Sequence, residues 1–217
     1  MTDTSDAPVR ILKQEILADD WARLTKYTID YRRRDGGHET QIRQVYDRGN
    51  GACILPHDLE RGTVLLVRQF RLPAHVAGHD PYLIEACAGL LDDLDPEAAI
   101  LKEAEEELGY RLRNVVRVFD LFMSPGSVNE RLAFFTAGYS PADRISAGGG
   151  AAHEGEDIEV LELALDEALR MAGRGEIADA KTVILLQQAA LGRQAVAGVP
   201  AADAAPAASG VARNQTT

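Results

Sequence analysis

The stretch Pro96-Glu97-Ala98-Ala99-Ile100-Leu101-Lys102-Glu103-Ala104-Glu105-Glu106-Glu107-Leu108-Gly109-Tyr110 reads as a single amphipathic helix with its own start and stop. Pro96 suits a first-turn position, residues 97–108 are good helix formers, and Gly109 ends the run. At about 100° per residue, Glu103, Glu106 and Glu107 stand at i, i+3 and i+4 and share a face. Ile100, Leu101, Ala104 and Leu108 form the neighbouring apolar arc, which can dock on a sheet. Like charges at this spacing destabilise a helix by a few tenths of a kcal/mol per pair, and a bound cation reverses the sign. Hard oxygen ligands with no Cys or His nearby favour Mg²⁺ or Mn²⁺ over zinc. The same spacing also describes an ordinary solvated acidic face, so the flanking chain has to decide.

Working outward, residues 10–47 alternate in strand fashion (Leu24, Tyr27, Ile29, Tyr31) and are broken by Asp35-Gly36-Gly37, a turn sequence. They predict an N-terminal antiparallel module. Beyond Gly49-Asn50-Gly51, three short strands are expected at 52–55, 63–70 and 82–88. Strands return after the acidic helix at 115–123, 132–139 and 157–163, and helices at 166–173 and 181–191 close the chain. This order implies an α/β fold with a mixed sheet covered on both faces. From Gln194 the sequence turns to Ala, Pro and Gly, and a disordered tail is expected. The organisation expected is therefore 1–48 as a strand module, 49–193 as the main domain and 194–217 as the tail.

With 217 residues and 46% hydrophobic content, the chain can bury one sizeable core. A net charge of −11 repels nucleic acid and anionic membrane, which excludes RNA and DNA as expected partners but not a small phosphorylated ligand. Neither an apolar run long enough to span a bilayer nor an N-terminal signal segment is found, so a cytoplasmic protein is expected. Cys53 and Cys87 lie in apolar runs without metal-like spacing and are expected as buried free thiols. The five histidines, His38, His57, His75, His79 and His153, show no metal spacing either.

Gly89-Leu90-Leu91-Asp92 precedes the acidic helix by a short loop, and together they resemble the Nudix box, G-x5-E-x7-R-E-U-x-E-E-x-G-U, with U a bulky aliphatic residue. Gly89, the three glutamates and Gly109 fall into place. Lys102 stands for the arginine, Ala104 and Tyr110 take the bulky positions, Leu94 with Asp95 beside it falls at the first glutamate, and the interval from Gly89 to Lys102 is one residue short. The resemblance covers about residues 11–191. It includes Val45-Tyr46-Asp47-Arg48, Val67-Arg68-Gln69-Phe70-Arg71, Ile84-Glu85-Ala86-Cys87-Ala88, Met123-Ser124-Pro125-Gly126, Gly148-Gly149-Gly150, Glu156-Asp157-Ile158-Glu159-Val160, Gly175-Glu176-Ile177 and Lys181-Thr182-Val183. Taken together these are most similar to the GDP-mannose hydrolase branch of the ADP-ribose pyrophosphatase group.

The resemblance implies a Nudix α/β/α sandwich carrying an N-terminal antiparallel strand module, and a homodimer. It implies a Mg²⁺-dependent hydrolase of acid anhydrides that splits the pyrophosphate of a nucleoside diphosphate sugar, GDP-mannose to GMP and mannose 1-phosphate, with Mn²⁺ as an alternative ion and ADP-ribose as the alternative substrate. A non-catalytic nucleotide-sugar module of the same fold is disfavoured, since it would need no metal carboxylates. By the same resemblance the metal is held by the Ala88 carbonyl, Glu103, Glu107 and Glu156, with Glu106 placed to bind a second ion or orient its waters. Either Glu154 or Glu156 is the base, on a loop whose three glycines suggest a lid. Ala88, Gly89 and Leu90 adjoin the substrate, Arg71 pairs with the diphosphate, and Glu130 and Lys181 contact the substrate. Trp21, Arg43 and Gln44 reach the partner subunit's ligand, Trp21 by stacking on the base; Ile42 and Gln44 replace polar and acidic residue types there.

Overall fold

The computed structural model describes residues 7–91, 93–151 and 155–198, with side chains as far as Arg193. The N-terminal segment forms three strands, β1 (Val9–Asp19), β2 (Arg23–Arg32) and β3 (His38–Asp47), paired antiparallel in the order β1-β2-β3. Gly36 takes the left-handed conformation (φ 85°) in the β2–β3 turn, as the Asp35-Gly36-Gly37 signal predicts.

A second, seven-stranded sheet carries the rest. Its main path, β10-β5-β4-β9-β8, uses β4 (Gly51–Asp58), β5 (Thr63–Phe70), β8 (Arg113–Phe122), β9 (Arg131–Gly138) and β10 (Glu159–Ala164). The β4–β9 pair is parallel and its neighbours are antiparallel, so the sheet is mixed. Strands β4 and β5 pair only at His57 with Val64 and Asp58 with Thr63, then diverge. Into the opening run β6 (Tyr82–Glu85), along β5, and β7 (Cys87–Leu90), along β4.

Period-two alternation sorts the apolar side chains into two cores. Ala52, Ile54, Leu65, Val67, Ala133 and Phe135 face the acidic helix and meet Ile100, Ala104 and Leu108. Cys53, Leu55, Val64, Leu66, Leu132 and Phe134 face the opposite way, toward α3 (Leu165–Arg174) and α4 (Ala180–Gly198), and meet Leu165, Ala168, Ile177, Leu185 and Leu186. The result is the α/β/α sandwich expected. Both cysteines are buried and free, as anticipated.

Local signals set the ends of the acidic helix. Asp95 is its N-cap and accepts from the Glu97 N–H at 3.0 Å, Pro96 is in the first turn, and Gly109 closes it in the left-handed region (φ 75°). Only α2 (Pro96–Glu103) is α-helical; Ala104–Leu108 is a π-helical turn, which a reading at a uniform 100° per residue misses.

Three further differences from expectation have local causes. The strand expected at 82–88 is broken at Ala86, whose N–H leaves the ladder to bond Thr182 Oγ1 at 2.7 Å. A one-turn helix, α1 (Leu72–Val76), and a 3₁₀ turn at Pro141–Asp143 are each too short to show a hydrophobic period. Helix α4 continues to Gly198, so residues 194–198, expected to begin a disordered tail, have helical backbone; the rest of that tail lies outside the described residues.

Gly109 supports a testable expectation. A Cβ there would fall 2.6 Å from both Gly148 N and Ser146 O, in addition to the positive φ. Gly109→Ala is expected to destabilise the fold by about 1–3 kcal/mol in chemical denaturation.

Candidate active site

Burying Ile100, Ala104 and Leu108 against the sheet turns one edge of the acidic helix toward β7. There Glu103 rests on Gly89, where a Cβ would fall 2.5 and 2.6 Å from its Cδ and Cγ. The box glycine is thus needed because a carboxylate occupies the space any side chain would fill. Gly89 is opposite Ala52 in the β7–β4 ladder, and Ala88 is opposite Cys53.

Glu107 is the most constrained member. It is 2% exposed, and its Oε2 has no hydrogen-bond partner among the described residues. Burial pushes its pKa up to about 7; the Cys87 thiol and the Ala88 N–H donate to it and oppose that rise, while the negative charges of Glu103 and Glu156 add to it. Glu103, Glu107, Glu156 and Ala88 are therefore neighbours. Glu156 Oε2 accepts from the Ala151 N–H at 2.8 Å, packed over Gly150. Glu154, the other candidate base, lies outside the described residues.

On the π-helical turn Glu107 is buried, whereas Glu106 is exposed and pairs with Lys102 Nζ at 3.1 Å. The glycine triplet also differs from a free lid. Gly149 N donates to Glu107 O at 2.8 Å and Gly150 N to Glu106 O at 3.2 Å, so it caps the carbonyls at the end of the acidic helix. Gly148, Gly149 and Gly150 all have positive φ, and a Cβ on Gly148 would sit 2.7 Å from the Leu108 carbonyl carbon.

Cationic groups stand next to this acidic cluster. Arg71, at the end of β5, feels the Glu107 charge and forks onto Glu85 with Nε to Oε1 at 2.8 Å and Nη2 to Oε2 at 3.0 Å. Lys181 donates to Glu85 Oε2 at 2.6 Å and pairs with Asp179 Oδ1 at 3.0 Å. Burial works against the Lys181 ammonium, but Glu85 and Asp179 outweigh it and hold its pKa above the ordinary lysine value. Glu85 and Asp179 carry no role in the sequence reading. The signal was present in Glu85 itself, a charge inside the apolar run Leu83-Ile84-Glu85-Ala86-Cys87, which cannot be buried without a partner.

Glu130 approaches from the loop before β9. It lies near Gly51, which is opposite Leu90 in the ladder, and pairs with Arg48 Nε at 3.2 Å. Arg48 also lies over the Trp21 ring, 5.6 Å from its centroid, linking the outer sheet to Glu130. Trp21, Arg43 and Gln44 remain exposed on the three-stranded sheet. Arg43 turns onto its own strand, donating to Ile42 O at 2.8 Å and Gln41 Oε1 at 2.7 Å.

A divalent cation fits this donor set. Among the described residues no three His, Cys, Asp or Glu side chains stand ready to hold a metal by themselves. Magnesium keeps several waters, however, and takes one or two carboxylates plus phosphate oxygens. The orphaned, buried Glu107 Oε2 is an acceptor that such an ion would satisfy.

Clustered carboxylates beside an arginine fork and a buried lysine, on an α/β/α sandwich, define a hydrolase of phosphoanhydrides. The chain belongs to the Nudix family of pyrophosphohydrolases, since the NUDIX domain matches residues 47–195. The GDP-mannose pyrophosphatase NudK N-terminal domain matches residues 8–46. The chain is 52% identical over 184 residues to a GDP-mannose pyrophosphatase of Pectobacterium atrosepticum, covering 84% of this chain and 94% of that protein. It is 51% identical over 180 residues to one of Klebsiella pneumoniae, covering 82% and 90%. A crystal structure of an ADP compounds hydrolase superposes with a TM-score of 0.64 at 17% identity, over 87% of this chain and 96% of that one, and shares the fold.

Two variants test the site. Glu107→Gln removes a buried charge and should leave the fold at least as heat-stable, yet lower kcat by about 10² or more; near-normal turnover in the folded variant overturns its assignment. Gly89→Ala should displace Glu103 and cost about 10² in turnover, with circular dichroism unchanged.

Proposed function

We propose that the protein is a cytoplasmic, homodimeric, Mg²⁺-dependent enzyme that hydrolyses GDP-mannose to GMP and mannose 1-phosphate. The observation that carries this reading is the likeness, through both the outer strand module and the Nudix domain, to proteins named GDP-mannose pyrophosphatase at about half identity. The two buried free thiols agree with a reducing compartment.

Glu103, Glu107, Glu156 and the Ala88 carbonyl would hold the ion. When bound, magnesium supplies neutralisation of the diphosphate and lowers the pKa of a coordinated water. Arg71 and Lys181 are assigned to the diphosphate oxygens, and Glu130 to the nucleotide sugar. Glu156 is assigned as the base: it takes a proton from the attacking water, whose oxygen bonds to one phosphorus while the bridging P–O bond breaks and the electron pair leaves with the other phosphate. Glu106 lies outside the inner cluster, which supports a role in orienting solvent rather than in direct ligation.

We assign residues 1–48 to dimerisation and 49–193 to the hydrolase domain. Support comes from exposed apolar side chains on the three-stranded sheet: Ile11 (58%), Ile16 (56%), Trp21 (69%) and Ile42 (60%). The register puts Ile11 and Ile16 on one face of this small sheet and Ile42 on the other, so both faces carry apolar surface for a partner to cover. Trp21, Arg43 and Gln44 would then face the partner's ligand. Light scattering at micromolar concentration is expected to give a dimer; an active monomer overturns this assignment.

ADP-ribose is the second reading, favoured by the neutral amide of Gln44, since guanine N–H groups pair best with a carboxylate. Both compounds should be hydrolysed, with kcat/KM modestly higher for GDP-mannose and Gln44→Glu widening the gap about ten- to a hundredfold. An ADP-ribose preference above about tenfold, ~1.4 kcal/mol, overturns the GDP-mannose reading and leaves the family membership intact.

A further inference from the structure

At Glu85 a carboxylate with 2% exposure is shared by two cations from distant parts of the chain, Arg71 at the end of β5 and Lys181 at the start of α4. The contacts close into a ring. Lys181 also pairs with Asp179 Oδ1 at 3.0 Å, Asp179 Oδ2 accepts from Thr182 N at 3.0 Å and Thr182 Oγ1 at 2.5 Å, and Thr182 Oγ1 accepts from Ala86 N at 2.7 Å. Ala86 follows Glu85 directly, so the ring both grips the Arg71 fork and fixes the break from which Ala88 and Gly89 run into the site. Two carboxylates meet two cations, and the buried group is neutral within itself.

A guanidinium has five N–H donors, and Glu85 engages Nε and one N–H of Nη2. The outer edge, made by Nη1 and the second N–H of Nη2, has no other partner among the described residues, and the side chain is 40% exposed. That edge is itself a two-pronged fork of the kind that pairs with two phosphate oxygens. Held by two hydrogen bonds along its inner edge, the guanidinium has a fixed orientation.

We propose that Glu85 is a positioning residue for the hydrolysis: itself held by Lys181, it binds the inner edge of Arg71 and so presents the outer edge of the guanidinium, already oriented, to the substrate diphosphate. This rests on the reading above that Arg71 meets the diphosphate. Orientation lost on one charge-assisted fork corresponds to about ten- to a hundredfold in binding. Glu85→Gln should therefore raise KM for GDP-mannose by about ten- to a hundredfold, with a much smaller change in kcat. It should weaken inorganic pyrophosphate, measured by calorimetry, by a similar factor.

A double-mutant cycle separates the possibilities. Arg71→Ala alone should raise KM, and adding Glu85→Gln should raise it little further, because Glu85 acts through Arg71. If Arg71→Ala leaves KM unchanged, the diphosphate reading of Arg71 fails. If Arg71→Ala raises KM while Glu85→Gln does not, or if the two effects multiply, the positioning proposal fails. Glu85→Asp keeps the charge but shortens its reach by one methylene, and it carries the same cycle and the same criteria should Glu85→Gln not fold.

Discussion

The structure turns on one buried carboxylate oxygen. Glu107 Oε2 is shut away from solvent with no hydrogen-bond partner among the described residues, beside two other glutamates whose charges oppose its ionisation. A lone buried acceptor costs about 1–3 kcal/mol, and more when charged. The fold accepts that cost through the core contacts of Ile100, Ala104 and Leu108, which hold the helix down whatever its acidic edge meets. On the proposed function, a divalent cation held at that edge would offset the cost.

Close approach is the second constraint. Glu103 lies where a side chain on Gly89 would be, and Gly148 meets the last turn of the acidic helix through its backbone. The glycine triplet that follows is bonded to the carbonyls of Glu106 and Glu107, so the Glu156 loop is anchored at its start to the helix it serves. The late loop and the helix therefore place their carboxylates as one unit, although Glu107 and Glu156 are far apart in sequence.

The two sheets divide the labour. The seven-stranded sheet buries apolar side chains on both faces and supports the cluster. The three-stranded sheet leaves large apolar residues open to solvent, and touches the catalytic domain through the Tyr46–Val128 bridge and the stack of Trp21, Arg48 and Glu130. This contrast, one sheet buried on both faces and the other open to solvent, is what the proposed dimerisation role of the outer strands rests on.

The sequence by itself determined most of the elements. Alternation located the N-terminal strands, short apolar runs the strands of the larger sheet, and Pro96 and Gly109 the ends of the acidic helix, because each signal lies within a turn or two of chain; the reaction class came from the resemblance of Gly89, Glu103, Glu106 and Glu107 to the Nudix box. Only the tertiary structure decided which glutamate is buried: Glu107 lies inside and Glu106 is exposed, paired with Lys102. It alone broke strand 82–88 at Ala86 and joined Arg71, Glu85, Asp179 and Lys181, residues as much as 110 positions apart in sequence. Hydrogen-bond partners of a buried charge are chosen by proximity after the sheet has closed, and that proximity is set by packing, not by neighbourhood along the chain.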